Sequence, residues 1–97
     1  MKKDELADTL AGMPGWTYEA GADRIEKTFS CQSFLTSIAF VKNVASIAED
    51  VNHHPEILIQ YDKVTLRLRT HDEDKVTDKD LSLATAAEKA ANETDGV

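Results

Sequence analysis

The stretch from about Ser33 to Val51 contains neither glycine nor proline, and no other segment constrains the fold as strongly. Phe34, Ile38, Val41, Ala45 and Ala48 recur at helical spacing, which puts them along one face of a long helix. A second stripe of Phe40, Val44, Ile47 and Val51 runs beside the first. The apolar surface is therefore wider than one contact with a sheet requires. Two readings stay open: both stripes are buried in a core, or one meets the sheet and the other meets a second subunit. Pro55 ends the helix, because it disfavours αR geometry at His54 and has no N–H to donate.

Punctuation and alternation divide the rest of the chain. Leu6 and Leu10 stand four apart in a short helix from Lys3 to Ala11, which Gly12, Pro14 and Gly15 stop. Trp16–Ala20 and Arg24–Ser30 are rich in β-formers and flank Gly21-Ala22-Asp23, as in a hairpin. After Pro55, Ile57, Ile59 and Tyr61 alternate with Glu56, Leu58 and Gln60. Val64, Leu66 and Leu68 alternate with Lys63, Thr65, Arg67 and Arg69, and the tight Tyr61-Asp62-Lys63 junction predicts a second antiparallel hairpin. Beyond the charged loop His71–Val76, Thr77-x-x-Asp80 has the form of a capping box ahead of an Ala-rich helix running to about Ala91. The order αββαββα predicts an α+β fold, a four-stranded antiparallel sheet with helices packed on one face. Residues 1–97 are expected to form a single domain.

Charge narrows the function classes. Eleven Lys and Arg against 18 Asp and Glu give a formal net charge of −7. An acidic chain repels a phosphate backbone, so nucleic acid is not an expected direct partner. The longest apolar runs fall far short of the roughly 20 residues that cross a bilayer, so no membrane association is expected. The start, Met1-Lys2-Lys3-Asp4-Glu5, turns acidic where a signal peptide becomes apolar. The single Cys31 cannot form an intrachain disulfide and reads as a small core or helix-start residue, which suits a reducing, cytoplasmic compartment. Trp16 reads as a core anchor. Tyr61 is expected to lay its ring on the sheet's apolar face, and Lys63, Arg67 and Arg69 to form a solvated or acid-contacting strand face.

The three histidines point to chemistry. His53 and His54 end the long helix, and His71 ends the last strand. Glu49, four residues before His53, shares its face if the helix persists that far, and would then orient the imidazole. The hairpin after Pro55 returns His71 toward its own beginning, so the three imidazoles are expected to converge. Imidazole accepts and imidazolium donates protons near neutral pH, which suits dehydration. One alternative is a two-His-one-carboxylate metal set of Glu49, His53 or His54, and His71. Another is that the helix-end histidines only cap the last carbonyls.

Glu49-x-x-x-His53-His54-Pro55, followed by Tyr61, His71 and Asp80 at these separations, resembles the signature of the pterin-4a-carbinolamine dehydratases. Gly15-Trp16, Ile25-x-Lys27-x-Phe29, Val44-Ala45, Ala48-Glu49, Val64, Leu66, Thr70-His71 and Asp80-Leu81-x-Leu83-Ala84 extend the resemblance over roughly Gly15 to Ala84. It implies removal of water from 4a-hydroxytetrahydrobiopterin to give quinonoid dihydropterin, in tetrahydrobiopterin recycling, with no metal or other cofactor. It also implies a functional link to an aromatic amino acid hydroxylase, which releases that carbinolamine. By position, His53 and His71 would be the proton-transfer pair and His54 would chiefly hold the pterin. Glu49 would support the histidine cluster and Asp80 would lie near His71, with Asn52, Pro55 and Thr70 binding or supporting. Asn52 stands where some members carry Asp, Ile57 where some carry Trp, and the loop Asp72–Val76 lacks a glycine often found there. The resemblance further implies a homodimer or homotetramer, for which Phe40, Val44, Ile47 and Val51 are the expected surface. A rival implication is a non-catalytic dimerisation or binding protein of the same fold.

Overall fold

The computed structural model describes the backbone of residues 3–97 and side chains from residue 5 onward. Met1 and Lys2, with the start of the charged N-terminal run, lie outside the described residues. The elements are α1 (Lys3–Ala11), β1 (Thr17–Glu19), β2 (Arg24–Ser30), α2 (Phe34–Val51), β3 (Glu56–Gln60), β4 (Lys63–Leu68) and α3 (Asp78–Glu93). The strands form one antiparallel sheet in the order β1-β2-β4-β3. This is the αββαββα, α+β arrangement the sequence predicts.

Register explains which face is covered. Ile25 pairs with Leu68, Lys27 with Leu66 and Phe29 with Val64, so these residues share one side of the pleat. Ile25, Phe29, Val64, Leu66 and Leu68 join Leu6 of α1, Phe40 and Val44 of α2, and Leu83, Ala84 and Ala87 of α3 in one buried cluster. Phe40 is fully buried, its ring 4.8 Å from that of Phe29. Truncating it to alanine is expected to cost about 3–5 kcal/mol. Trp16 is the expected anchor: buried, edge-on to Phe29, and donating its indole N–H to Glu88 of α3 at 3.0 Å. Lys27 reaches the same carboxylate, fastening α3 over β2. On the opposite face, Thr28 and Thr65 share a hydrogen bond of 2.8 Å and Leu58 is exposed.

The long helix resolves the two-stripe question differently from either reading. Ser33 caps it, accepting the Thr36 N–H at 3.1 Å. The buried line is Ser37, which lies in neither stripe, with Phe40 and Val44 of the second and Ala48 of the first, while Phe34, Leu35 and Ile38 face outward. The expected subunit surface of Phe40, Val44, Ile47 and Val51 is therefore corrected. Phe40 and Val44 are core residues, Ile47 is partly buried, and Val51 alone of the four is exposed.

Tyr61 also departs from expectation. The β3–β4 ladder closes at Gln60↔Lys63, which leaves Tyr61 and Asp62 as a two-residue turn. Tyr61 takes φ +57° and its side chain is 71% exposed rather than on the apolar face. Its carbonyl accepts from the Ser37 hydroxyl at 3.0 Å, and that of Asp62 accepts from the Cys31 N–H at 2.7 Å, so the turn is pinned to α2 and β2. Cys31 is buried, as a small core residue.

Candidate active site

Asn52 decides where the histidines go. It follows the last helical residue in left-handed geometry, φ +52°, with its N–H on the carbonyls of Ala48 and Glu49. The His53 N–H folds back to Ala48 at 3.1 Å. Asparagine tolerates this conformation better than most residues, so the chain leaves the helix sharply here. The helix thus does not persist to His53, and the expected Glu49–His53 pairing fails for that reason. Glu49 instead meets His54, Nε2 to Oε1 at 2.6 Å, with both side chains more than half exposed.

His53 turns inward to Asp80, its Nε2 lying 2.6 Å from Oδ1. Asp80 is expected near His71; the imidazole it contacts is that of His53, while its hydrogen bond to Thr70 ties it to the residue before His71. Asp80 has no exposed surface, and its Oδ2 accepts the Thr70 hydroxyl and the Thr77 N–H, both at 2.9 Å. The Thr77 contact is half of the expected capping box; Thr77 Oγ1 accepts the Lys79 N–H at 3.3 Å. One carboxylate thus starts α3 and aims an imidazole. A carboxylate accepts only, so Nε2 of His53 carries the hydrogen and Nδ1 is left to exchange protons with a ligand.

His71 lies beyond β4, not at its end. Thr70 and Lys75 form a bridge that closes a tight turn, with Asp74 at φ +55°. Aspartate, like asparagine, occupies left-handed geometry at modest cost, which explains how a loop without glycine still turns. Asn52, His53, His54, Thr70, His71, Asp72 and Lys79 line one cavity of about 210 Å³. The three histidines therefore converge as expected, with Asn52 and Thr70 among them. Glu49, Pro55 and Asp80 do not line the cavity: Glu49 contacts His54, Asp80 contacts His53, and Pro55 directs the chain into β3. Ile57 faces the core against Leu66 and forms no wall of it. Among the described residues, no group of three or more His, Cys, Asp or Glu side chains is placed to hold a metal ion, so Glu49, His53 or His54, and His71 are not gathered as a ligand set.

Sequence reasoning missed Lys79 and Asp72. Lys79 follows from the capping box: once Asp80 points inward at the third helical position, its predecessor sits about 100° around the helix, at the cavity mouth. Beside the cavity, an apolar groove of about 320 Å³ runs between α2 and α3, lined by Ile47, Val51, Leu83 and Ala86 and sharing His53 and Lys79. A flat heteroaromatic ring has apolar faces and polar edges, which this junction matches.

Residues 1–90 match the family model described as pterin 4 alpha carbinolamine dehydratase. A relative from Herpetosiphon aurantiacus with the provisional name pterin-4-alpha-carbinolamine dehydratase is 45% identical over 84 residues, 87% of this chain and 85% of its own. One from Sulfolobus acidocaldarius with the same provisional name is 37% identical over 84 residues, 87% of this chain and 90% of its own. A crystal structure from Brucella melitensis, described as a transcriptional coactivator/pterin dehydratase, superposes with a TM-score of 0.89 at 31% identity, covering 94% of this chain and 97% of that one. A pterin dehydratase-like protein identified as a RuBisCO assembly factor of the alpha-carboxysome shares the fold at a TM-score of 0.70 and 19% identity, covering 81% and 92%. With the histidine cavity, its buried aspartate and these matches together, the chain belongs to the pterin-4-alpha-carbinolamine dehydratase family.

Proposed function

We propose that this chain, working as one domain, dehydrates a 4a-hydroxytetrahydropterin such as 4a-hydroxytetrahydrobiopterin to the quinonoid dihydropterin. The observation that carries the reading is the convergence of His53, His54 and His71 on one cavity, with His53 held by the buried Asp80. In the reaction the N5 lone pair forms the C4a=N5 bond as the C4a–O bond breaks. One imidazolium protonates the departing hydroxyl, and a neutral imidazole takes the N5 proton, so water leaves and charge balances. His53 and His71 are the transfer pair, His54 and Asn52 hold the ring edge, and Thr70 and Asp80 fix His53. Replacing His53 or His71 by alanine should slow dehydration by roughly 100-fold or more. Turnover unchanged in both variants would overturn the assignment.

The same reading places the protein in tetrahydropterin recycling, in the cytoplasm, serving an aromatic amino acid hydroxylase. No helix among the described residues is long and apolar enough to cross a membrane. We further propose a homodimer or homotetramer. Its support is the edge position of β3 and the outward Phe34, Leu35 and Ile38 of α2, which replace the surface expected from sequence. A single monomeric species at micromolar concentration would exclude that. The rival, a binding protein without catalysis, draws on the same exposed patch and would show as assembly without turnover.

A further inference from the structure

The chain has three arginines, Arg24, Arg67 and Arg69, and all of them line a second cavity, of about 420 Å³. His54 and His71 line it too, and Glu56 is the one carboxylate among its described lining residues. Pairing of Ile25 with Leu68 and Glu26 with Arg67 brings the guanidinium groups together on the helix-free side of the sheet, where β2 begins and β4 ends. In the ladder Arg24 stands opposite Glu19, and Arg67 opposite both Glu26 and Glu56, so the arginines are interleaved with carboxylates and not paired with one another.

Their existing partners leave capacity to spare. Arg24 meets Glu19 at 2.7 Å, Arg67 meets Glu56 at 3.0 Å and Arg69 meets Asp74 at 2.6 Å, each through one terminal nitrogen and each to a carboxylate side chain between 47% and 83% exposed. Such pairs contribute little and exchange readily. Among the described residues the Nε of all three arginines is buried without a hydrogen-bond acceptor; Arg24 Nε is 3.6 Å from Glu26, beyond hydrogen-bond range. Guanidinium forks match phosphate and carboxylate oxygens in pairs.

We propose that this cavity binds an oxyanion, phosphate or carboxylate, at the end of the side chain of a pterin whose ring lies at the histidine cavity. His54 and His71 line both cavities, so one ligand spans them. The inference rests on the dehydratase reading for its substrate and names the class: pterins with an anionic tail. Inorganic phosphate alone would then occupy the cavity as a competitor of such tails.

The experiment measures binding of stable oxidised pterins with a neutral dihydroxypropyl tail, a phosphate-ester tail or a carboxylate tail by fluorescence quenching, beside dehydration of the matching carbinolamines. The wild type should bind an anionic-tailed pterin roughly 10- to 100-fold more tightly than the neutral one. Arg24→Gln and Arg69→Gln should shrink that ratio toward one, and Arg69→Lys should restore it only in part. Added inorganic phosphate should displace the anionic-tailed pterins. A preference for phosphate over carboxylate, or the reverse, identifies the group carried. Equal binding of all three tails by the folded wild type would overturn the proposal, as would an anionic preference that survives Arg24→Gln/Arg69→Gln. If no carbinolamine is dehydrated while the arginine-dependent preference persists, the anion site stands and the dehydratase reading alone falls.

Discussion

Replacing Asp80 by asparagine tests the core of the site without changing its shape. Oδ2 accepts from Thr70 and Thr77, and Oδ1 faces His53 Nε2. An amide that keeps its carbonyl toward the two donors points its NH₂ at His53. The reverse orientation loses both of those bonds, so the first is favoured. Nε2 must then accept instead of donate, and the imidazole hydrogen moves to Nδ1, the atom left for substrate. Charge-assisted bonds become neutral ones at a cost of about 1–2 kcal/mol, against a total stability of roughly 5–15 kcal/mol, so the variant stays folded. At about 4–8 °C per kcal/mol for a domain of this size, Tm should fall by roughly 5–15 °C. Activity should fall much further. Loss of the correctly presented Nδ1 removes one proton-transfer partner, about 100-fold in kcat, with KM little changed because Asp80 does not line the cavity. The assay is the decay of chemically generated carbinolamine at a temperature where circular dichroism shows the variant folded. A kcat within about threefold of wild type would refute the reasoning that Asp80 sets the working tautomer of His53.

Other outcomes follow from the same geometry. Glu49→Gln should lower kcat by less than about fivefold, because its contact with His54 is exposed and such pairs are worth at most about 1 kcal/mol; a loss near that of His53→Ala would place Glu49 in the chemistry. Tyr61→Asn should raise Tm by a few degrees, since it relieves roughly 1 kcal/mol of left-handed backbone cost at a side chain that is mostly in water; thermal melts decide it. The Tyr18 hydroxyl donates to Asp23 at 2.6 Å, and this hydrogen bond, then burial and the negative charge of Asp23, hold its pKa above the usual 10.0. A raised folded value means the folded state keeps the proton longer, so the stability it contributes is complete below pH 10.0 and lost as pH rises through the folded value. Tyr18→Phe should flatten that alkaline fall in denaturant midpoints, and an unchanged slope would reject it.

The fold was legible because its signals are local. The glycine- and proline-free run, the two alternating pairs and the Thr77–Asp80 capping box each depend on neighbours within a turn or a hairpin, and β2 and α1 fall where punctuation puts them. Convergence of the histidines was legible too, since a hairpin must bring His71 back toward Pro55. Partner choice was not. Whether Glu49 meets His53 or His54 turns on one backbone angle at Asn52, and whether Asp80 serves His53 or His71 turns on how α3 docks. Arg67 and Arg69 read, with Lys63, as a solvated or acid-contacting strand face without Arg24, because Arg24 lies more than forty residues from Arg67 and only the β2–β4 register joins them. Tyr61 was misplaced because alternation does not announce where a strand becomes a turn.

The most direct measurement is the first-order decay of 4a-carbinolamine, generated in situ, with and without protein in excess over substrate. Spontaneous dehydration supplies the reference. The expected result is acceleration by wild type that rises with protein concentration and saturates, and that is reduced by roughly 100-fold in His53→Ala. A decay rate equal to the spontaneous one at saturating folded protein would contradict the claim that the histidine cavity is a dehydratase site.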